Sequence, residues 1–184
     1  MLLLYATRDG QSRRIAAHIA ARLADNGIAA PPRDLAEAFP TPAELVAAPL
    51  VVVIAAVRYG RHLPEAEGLL ATYREPLARA RLVFVSVNLT ARKPGKDTAA
   101  GNPYVRKLLA RHRLEPVLAT AVAGRLDYPR YGWLDRQIIR LIMRMMGGPT
   151  DLSSCIEFTS WQAVDRIASR IADLHGEVRE HGAS

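Results

Sequence analysis

LLLYATRDGQS, residues 2–12, opens with four apolar side chains and closes on a turn of small, polar and charged ones. Leu2, Leu3, Leu4 and Tyr5 have the unbroken apolar character of a short strand buried on both faces, as parallel sheets require. Thr7-Arg8-Asp9-Gly10-Gln11-Ser12 then leads into an amphipathic helix. Such a turn offers successive backbone N–H groups, hydroxyls at both ends, a glycine where a Cβ would crowd an anion, and the positive end of a helix dipole. Neither a GxGxxG fingerprint nor a triphosphate-binding GxxxxGK loop is present. The T-x-x-G-x-S pattern suits a mononucleotide, with flavin mononucleotide (FMN) its usual occupant. An ordinary strand-to-helix turn capped by Ser12 is the alternative.

Working outward, helical and strand-like runs alternate. Residues 12–26 carry Ile15, Ile19 and Leu23 at i, i+4 and i+8, with Arg13, Arg14 and Arg22 elsewhere, and stop at Asn26-Gly27. A weak strand is predicted near residues 28–30, followed by a proline-rich link. LVVVIAA (50–56) and LVFVSV (82–87) are strong buried strands, and residues 117–124 form a further one. Residues 64–80, 103–112 and 159–174 read as helices. The order predicts an α/β fold: a doubly wound, five-stranded parallel sheet covered on both faces, with a helical insertion at about 127–151 before the last helix. No internal repeat or linker divides the chain, so residues 1–184 read as a single domain.

Charge narrows the partners. There are 25 Lys+Arg against 18 Asp+Glu, a net charge of +7 that implies an acidic partner: nucleic acid, an anionic membrane or an anionic substrate. No recognition motif accompanies the charge, so nucleic acid is not expected. A lone cysteine, Cys155, leaves no intrachain disulfide and fits a reducing compartment. The chain opens directly into a core strand, and no run of about 18 uncharged apolar residues occurs, so neither a signal peptide nor a membrane span is expected. No metal site, carboxylate pair or Ser/His/Asp arrangement is read from the chain.

In an open parallel sheet, ligands sit beyond the carboxyl ends of the strands, where the strand order reverses. The loops at that edge are chemically loaded. Val57-Arg58-Tyr59-Gly60-Arg61-His62 follows the second strong strand, and Asn88-Leu89-Thr90-Ala91-Arg92-Lys93-Pro94-Gly95-Lys96 follows the third. Tyr59 can stack on a flat ring, Gly60 lets the backbone approach its edge, and Asn88 and Thr90 can hydrogen-bond a pyrimidine. The plainer alternatives are a half-buried loop tyrosine, a solvated basic loop for Arg92, Lys93 and Lys96, and an exposed His62 rather than a proton relay. Three loaded loops at one edge favour the site.

Residues 128–151, YPRYGWLDRQIIRLIMRMMGGPTD, exceed what a minimal five-stranded domain needs. Arg136, Arg140 and Arg144 follow i, i+4, i+8 on one side; Leu134, Ile138, Leu141, Ile142 and Met145 take the other, with Tyr131 and Trp133 at the entry. A basic helix with an apolar face and aromatic flanks is similar to an interfacial membrane helix. A core helix, a protein-docking helix or a Met-rich seat for a flat ligand is the alternative.

YATRDGQSRRIA (5–16), VRYGRH (57–62), SVNLTARKPGK (86–96) and the 128–151 segment together resemble the bacterial, flavodoxin-like, menaquinone-dependent protoporphyrinogen IX dehydrogenase family along nearly the whole chain. The resemblance implies an FMN enzyme of haem synthesis that oxidises protoporphyrinogen IX to protoporphyrin IX and passes electrons to membrane menaquinone or ubiquinone. It implies phosphate-binding roles for Thr7, Arg8, Asp9, Gly10, Gln11 and Ser12. Ring-facing roles fall to Val57, Arg58, Tyr59 and Gly60, and to Ser86, Val87, Asn88, Leu89, Thr90, Ala91 and Arg92. The flavin itself carries the chemistry, with Arg58, His62 and Arg92 as candidate catalytic side chains and Arg92, Lys93 and Lys96 as the grip on acidic substrate groups. A cytoplasmic protein held peripherally on the inner, anionic face of the cell membrane follows. A flavodoxin-type electron carrier and an NAD(P)H:quinone reductase share the fold and cofactor and stand as alternatives.

Overall fold

Strands that lack a polar face must be covered on both sides, and the chain supplies helices between them. The computed structural model describes residues 1–130, 132–145, 147–148, 150–153 and 155–181. In chain order the elements are β1 (Leu2–Ala6), α1 (Gln11–Ala24), β2 (Pro32–Asp34), α2 (Pro42–Ala47), β3 (Leu50–Arg58) and β4 (Arg61–His62). Next come α3 (Pro64–Thr72), α4 (Arg74–Arg79), β5 (Arg81–Val87), α5 (Pro103–His112), β6 (Leu118–Val122) and β7 (Arg125–Asp127). The chain ends with α6 (Trp133–Met145), β8 (Cys155–Glu157) and α7 (Trp161–His181).

Five strands pair in parallel in the order β2-β1-β3-β5-β6, the doubly wound arrangement expected from the alternation. The order reverses between β1 and β3, which makes their carboxyl ends the switch point. Strand alternation divides the core. Leu4, Val51, Val53, Leu82 and Phe84 point to the side covered by Leu69, Leu70 and Leu77 of α3 and α4 and by Val105 and Leu108 of α5. Leu3, Val52, Ile54, Val83 and Val85 point to the other, against Ile15, Ile19 and Leu23 of α1 and Val164, Ala168 and Ile171 of α7.

Three boundaries differ from the sequence pattern. The weak second strand lies at Pro32–Asp34 rather than near residues 28–30. Gly27 turns the chain at φ +72°, Ile28 and Ala30 pack into the core on the α1 side, and only the following residues reach the edge of β1. Pro32 is tolerated because it starts an edge strand. The 64–80 helix breaks at Tyr73, since Pro76 has no N–H with which to continue the ladder. The segment before α7 holds more than a helix: β7 and β8 form an antiparallel hairpin around α6, with Leu126 opposite Ile156.

Candidate functional site

Ala6, Ala55, Ser86 and Ala121 stand in register across β1, β3, β5 and β6, so four segments leave the sheet at one level. Between them lies a cleft of about 870 Å³, counted to its open mouth. Thr7, Asp9, Gln11 and Ser12 line it from the first loop, residues 57–60 from the second, and residues 87–90 from the third. The three loops singled out in the sequence therefore do converge. Arg8, Gly10, Ser86, Ala91, Arg92 and His62 do not line the cleft. Six wall residues were not singled out in the sequence: Ala56, Tyr104 at the start of α5, Gly124, Arg125, and the α6 side chains Ile139 and Met143.

At the first loop, α1 begins without a side-chain cap. Gly10 sits at φ +87°, a left-handed position that favours glycine, and space around it is open. Its N–H donates to Thr7 Oγ1 at 3.0 Å. The Ser12 hydroxyl, in the first turn of α1, is fully buried with no hydrogen-bond partner among the described residues. A buried hydroxyl with nothing to bond calls for one, and a helix N-terminus with a free hydroxyl is suited to an anion. Asp9, the only acid in the loop, is turned to Arg58 Nη1, 3.2 Å from each carboxylate oxygen. These residues fit a phosphate.

At the second loop, Tyr59 (φ +50°) and Gly60 (φ +79°) make the two-residue turn between β3 and β4, where both positions need positive φ. Arg58 pairs with Asp9 and with Asp135 in the first turn of α6, and its guanidinium lies 5.2 Å from the Tyr59 ring centre. The Tyr59 hydroxyl donates to Asp135 as well. That hydrogen bond, with the charge of Arg58, holds the Asp135 carboxyl below its usual range despite partial burial. The latch ties α6 across the cleft, where Ile139, Ile142 and Met143 face Val57, Tyr59 and Leu89. An apolar slot beside an anion pocket fits a flat ring carrying a phosphate, so FMN can be held by the residues present.

The third loop is shaped from behind. His62 Nε2 lies 2.8 Å from Ser86 Oγ; Asn88 Nδ2 donates to the same oxygen at 2.9 Å. Asn88 Oδ1 accepts from the Ala91 N–H (3.1 Å) and from Asn102 Nδ2 (3.2 Å). Asn102 also reaches the Lys96 carbonyl and caps α5 through Tyr104 and Val105. His62 is thus buried, not exposed, with its ring edge on Phe84 and its pKa pushed down to about 4 by burial. Asn102 was not singled out in the sequence; the Asn-Pro pair ahead of the 103–112 helix is the signal that marks it as a cap. Arg92 donates to the Leu89 carbonyl at 2.8 Å and covers Phe158, so it braces the loop from outside the cleft.

The apolar residues of α6 split between two faces. Met143 is buried with Leu126 and Tyr128, and Ile142 lines the cleft rather than joining the outer stripe. Trp133, Leu134, Leu141 and Met145 are 60–80 % exposed, and Ile138 is 38 % exposed. Arg140 and Arg144 are exposed, whereas Arg136 donates to the Tyr128 carbonyl at 3.2 Å. Tyr131 lies outside the described residues.

A switch-point cleft below a 2-1-3-5-6 sheet places the molecule in the flavodoxin-like class of α/β proteins. The flavodoxin domain model matches residues 2–153. Protoporphyrinogen IX dehydrogenase (quinone) of Escherichia coli K12 is 38 % identical over 179 residues, 94 % of each chain. The Leishmania major protein of the same name is 37 % identical over 174 residues, 94 % of this chain and 74 % of that one. An archaeal flavodoxin superposes with a TM-score of 0.50 at 12 % identity, covering 97 % of both chains. The chain belongs to the flavodoxin domain family and, within it, to the quinone-linked protoporphyrinogen IX dehydrogenases.

Proposed function

We propose that this protein binds FMN in the cleft and oxidises protoporphyrinogen IX with a quinone as acceptor, docked on the inner face of a membrane through α6. The observation that carries the reading is the two-sided helix: Ile139, Ile142 and Met143 wall the cleft while Trp133, Leu134, Leu141 and Met145 face outward beside Arg140 and Arg144. A lipid-dissolved acceptor and a cleft then meet at one element. The substrate is supported by the 38 % identity to the E. coli enzyme over 94 % of both chains. Among the described residues no helix is long and apolar enough to cross a membrane, which fits surface docking.

Bound FMN supplies two-electron redox chemistry. The substrate must lose six electrons and six protons to become protoporphyrin, and three quinones take them up as three quinols. The chain's own residues bind and orient. The α1 N-terminus, Thr7 and Ser12 hold the phosphate, Tyr59 supplies an aromatic face, and Arg58 fixes both Asp9 and the roof. The test is anaerobic. Protoporphyrinogen IX should bleach the yellow flavin of the purified protein, and a quinone should restore it. Bleaching by NADPH alone would instead identify a pyridine-nucleotide reductase, and bleaching by neither an electron carrier.

A further inference from the structure

Beside the cleft, and joined to it through Gly60 and Tyr104, is a smaller, shallow groove, about 260 Å³ when counted out to open solvent, lined also by Arg61, Glu67, Lys107 and Arg111. We propose that it is a carboxylate subsite that grips a propionate arm of the porphyrinogen through Arg61 and Lys107. This rests on the function proposed above and assigns its substrate grip to residues other than Arg92, Lys93 and Lys96.

The two arginines that line the cleft are already engaged: Arg58 by Asp9 and Asp135, and Arg125 by Asp127 and Cys155. Arg92 is spent on Leu89 and Phe158. Lys93 and Lys96 are exposed, and neither lines the cleft or the groove. Arg61 and Lys107, in contrast, are exposed and make no ion pair or side-chain hydrogen bond among the described residues. The carboxylate in the groove, Glu67, does not compete for them. It accepts from Arg111 at 2.8 Å and from His112 at 2.9 Å, and these bonds outweigh burial and keep its pKa low.

Both cations are placed by rigid elements. Arg61 pairs with Arg58 across the β3–β4 turn, so it is fixed relative to Tyr59. Tyr104, Lys107 and Arg111 follow one another at three and four residues along α5 and share a face. A porphyrinogen, whose pyrroles are joined by tetrahedral methylene bridges, carries its propionates on short flexible arms at its rim, and the groove adjoins the cleft mouth at Gly60. A quinone has no carboxylate, so the groove distinguishes the electron donor from the acceptor, which this reading places on the α6 side.

The experiment uses the flavin-loaded double variant Arg61→Ala/Lys107→Ala, checked for unchanged flavin content. With protoporphyrinogen IX, KM for flavin reduction should rise about tenfold, or about 1.4 kcal/mol from two exposed charge pairs. KM for quinone should not move. With the substrate's dimethyl ester, wild type and variant should behave alike, and Arg61→Lys should retain most of the wild-type affinity. An unchanged KM for the free acid, or an equal loss with the diester, overturns the subsite. A wild-type flavin that protoporphyrinogen does not reduce overturns the functional reading, and the subsite with it.

Discussion

Ser12 and His62 are both buried polar side chains, and they lead to opposite expectations. Ser12 Oγ has no partner among the described residues, so its burial costs stability until a ligand arrives. Ser12→Ala should leave the flavin-free protein as stable as wild type or up to about 1 kcal/mol more so, yet weaken FMN binding by about 1.5 kcal/mol, roughly tenfold. Thermal melts with and without FMN would show the crossing, and a variant that loses stability without losing flavin refutes the phosphate role. Gly10→Asp adds a like charge and a strained φ, and should abolish flavin retention. His62 is satisfied by Ser86 and held near pKa 4 against an ordinary value of 6.5. The unfolded chain takes up a proton as pH falls through 6.5 while the folded state does not until about 4, so stability is full above 6.5 and is lost on acidification. That loss amounts to about 3 kcal/mol by pH 4. Urea melts at pH 7 and pH 4.5 should show a shallower acid loss in His62→Gln than in wild type.

At the scale of elements, the latch formed by Arg58, Tyr59 and Asp135 decides how firmly α6 lies on the cleft. Asp135→Ala removes the shared acceptor, and amide exchange across residues 133–145 should accelerate while β1, β3 and β5 keep their protection. Equal protection in both proteins would mean that Met143 and its neighbours hold α6 alone. The same elements mark where sequence reading succeeds. β3 and β5 were legible because their buried runs need no partner's help to be recognised, and the loops after them follow from the topology. β7, β8 and the split of α6 were not, because three-residue strands have no period, and a 3.6-residue repeat shows which side chains share a face without showing which face meets the protein. Ile142 reads as part of the outer stripe and lines the cleft; Arg136 reads as a free cation and binds a carbonyl. His62 was misplaced for a related reason: β4 is two residues long, and pairing of Val57 with His62 is what turns the ring inward.

For the whole molecule, the net charge of +7 and the outer face of α6 make one prediction that neither makes alone. A basic surface near an anionic bilayer gains about 1 kcal/mol per Lys or Arg, and the gain decays within a Debye length. Burial of Trp133, Leu134, Leu141 and Met145 adds a part that salt does not screen. Binding to vesicles containing anionic lipid should therefore weaken but persist as salt rises, whereas binding through charge alone would vanish. Arg136 is excluded from the test, because replacing it frees the Tyr128 carbonyl and disturbs the support of α6. Arg140→Glu/Arg144→Glu should abolish vesicle binding and slow turnover with a membrane quinone, and Leu134→Asp/Leu141→Asp should remove the salt-resistant part. Both variants should keep their flavin and their rate with a water-soluble acceptor, since none of the four side chains lines the cleft. Loss of flavin would show that the outer face supports the site, and undiminished vesicle binding would show that the membrane meets the protein elsewhere.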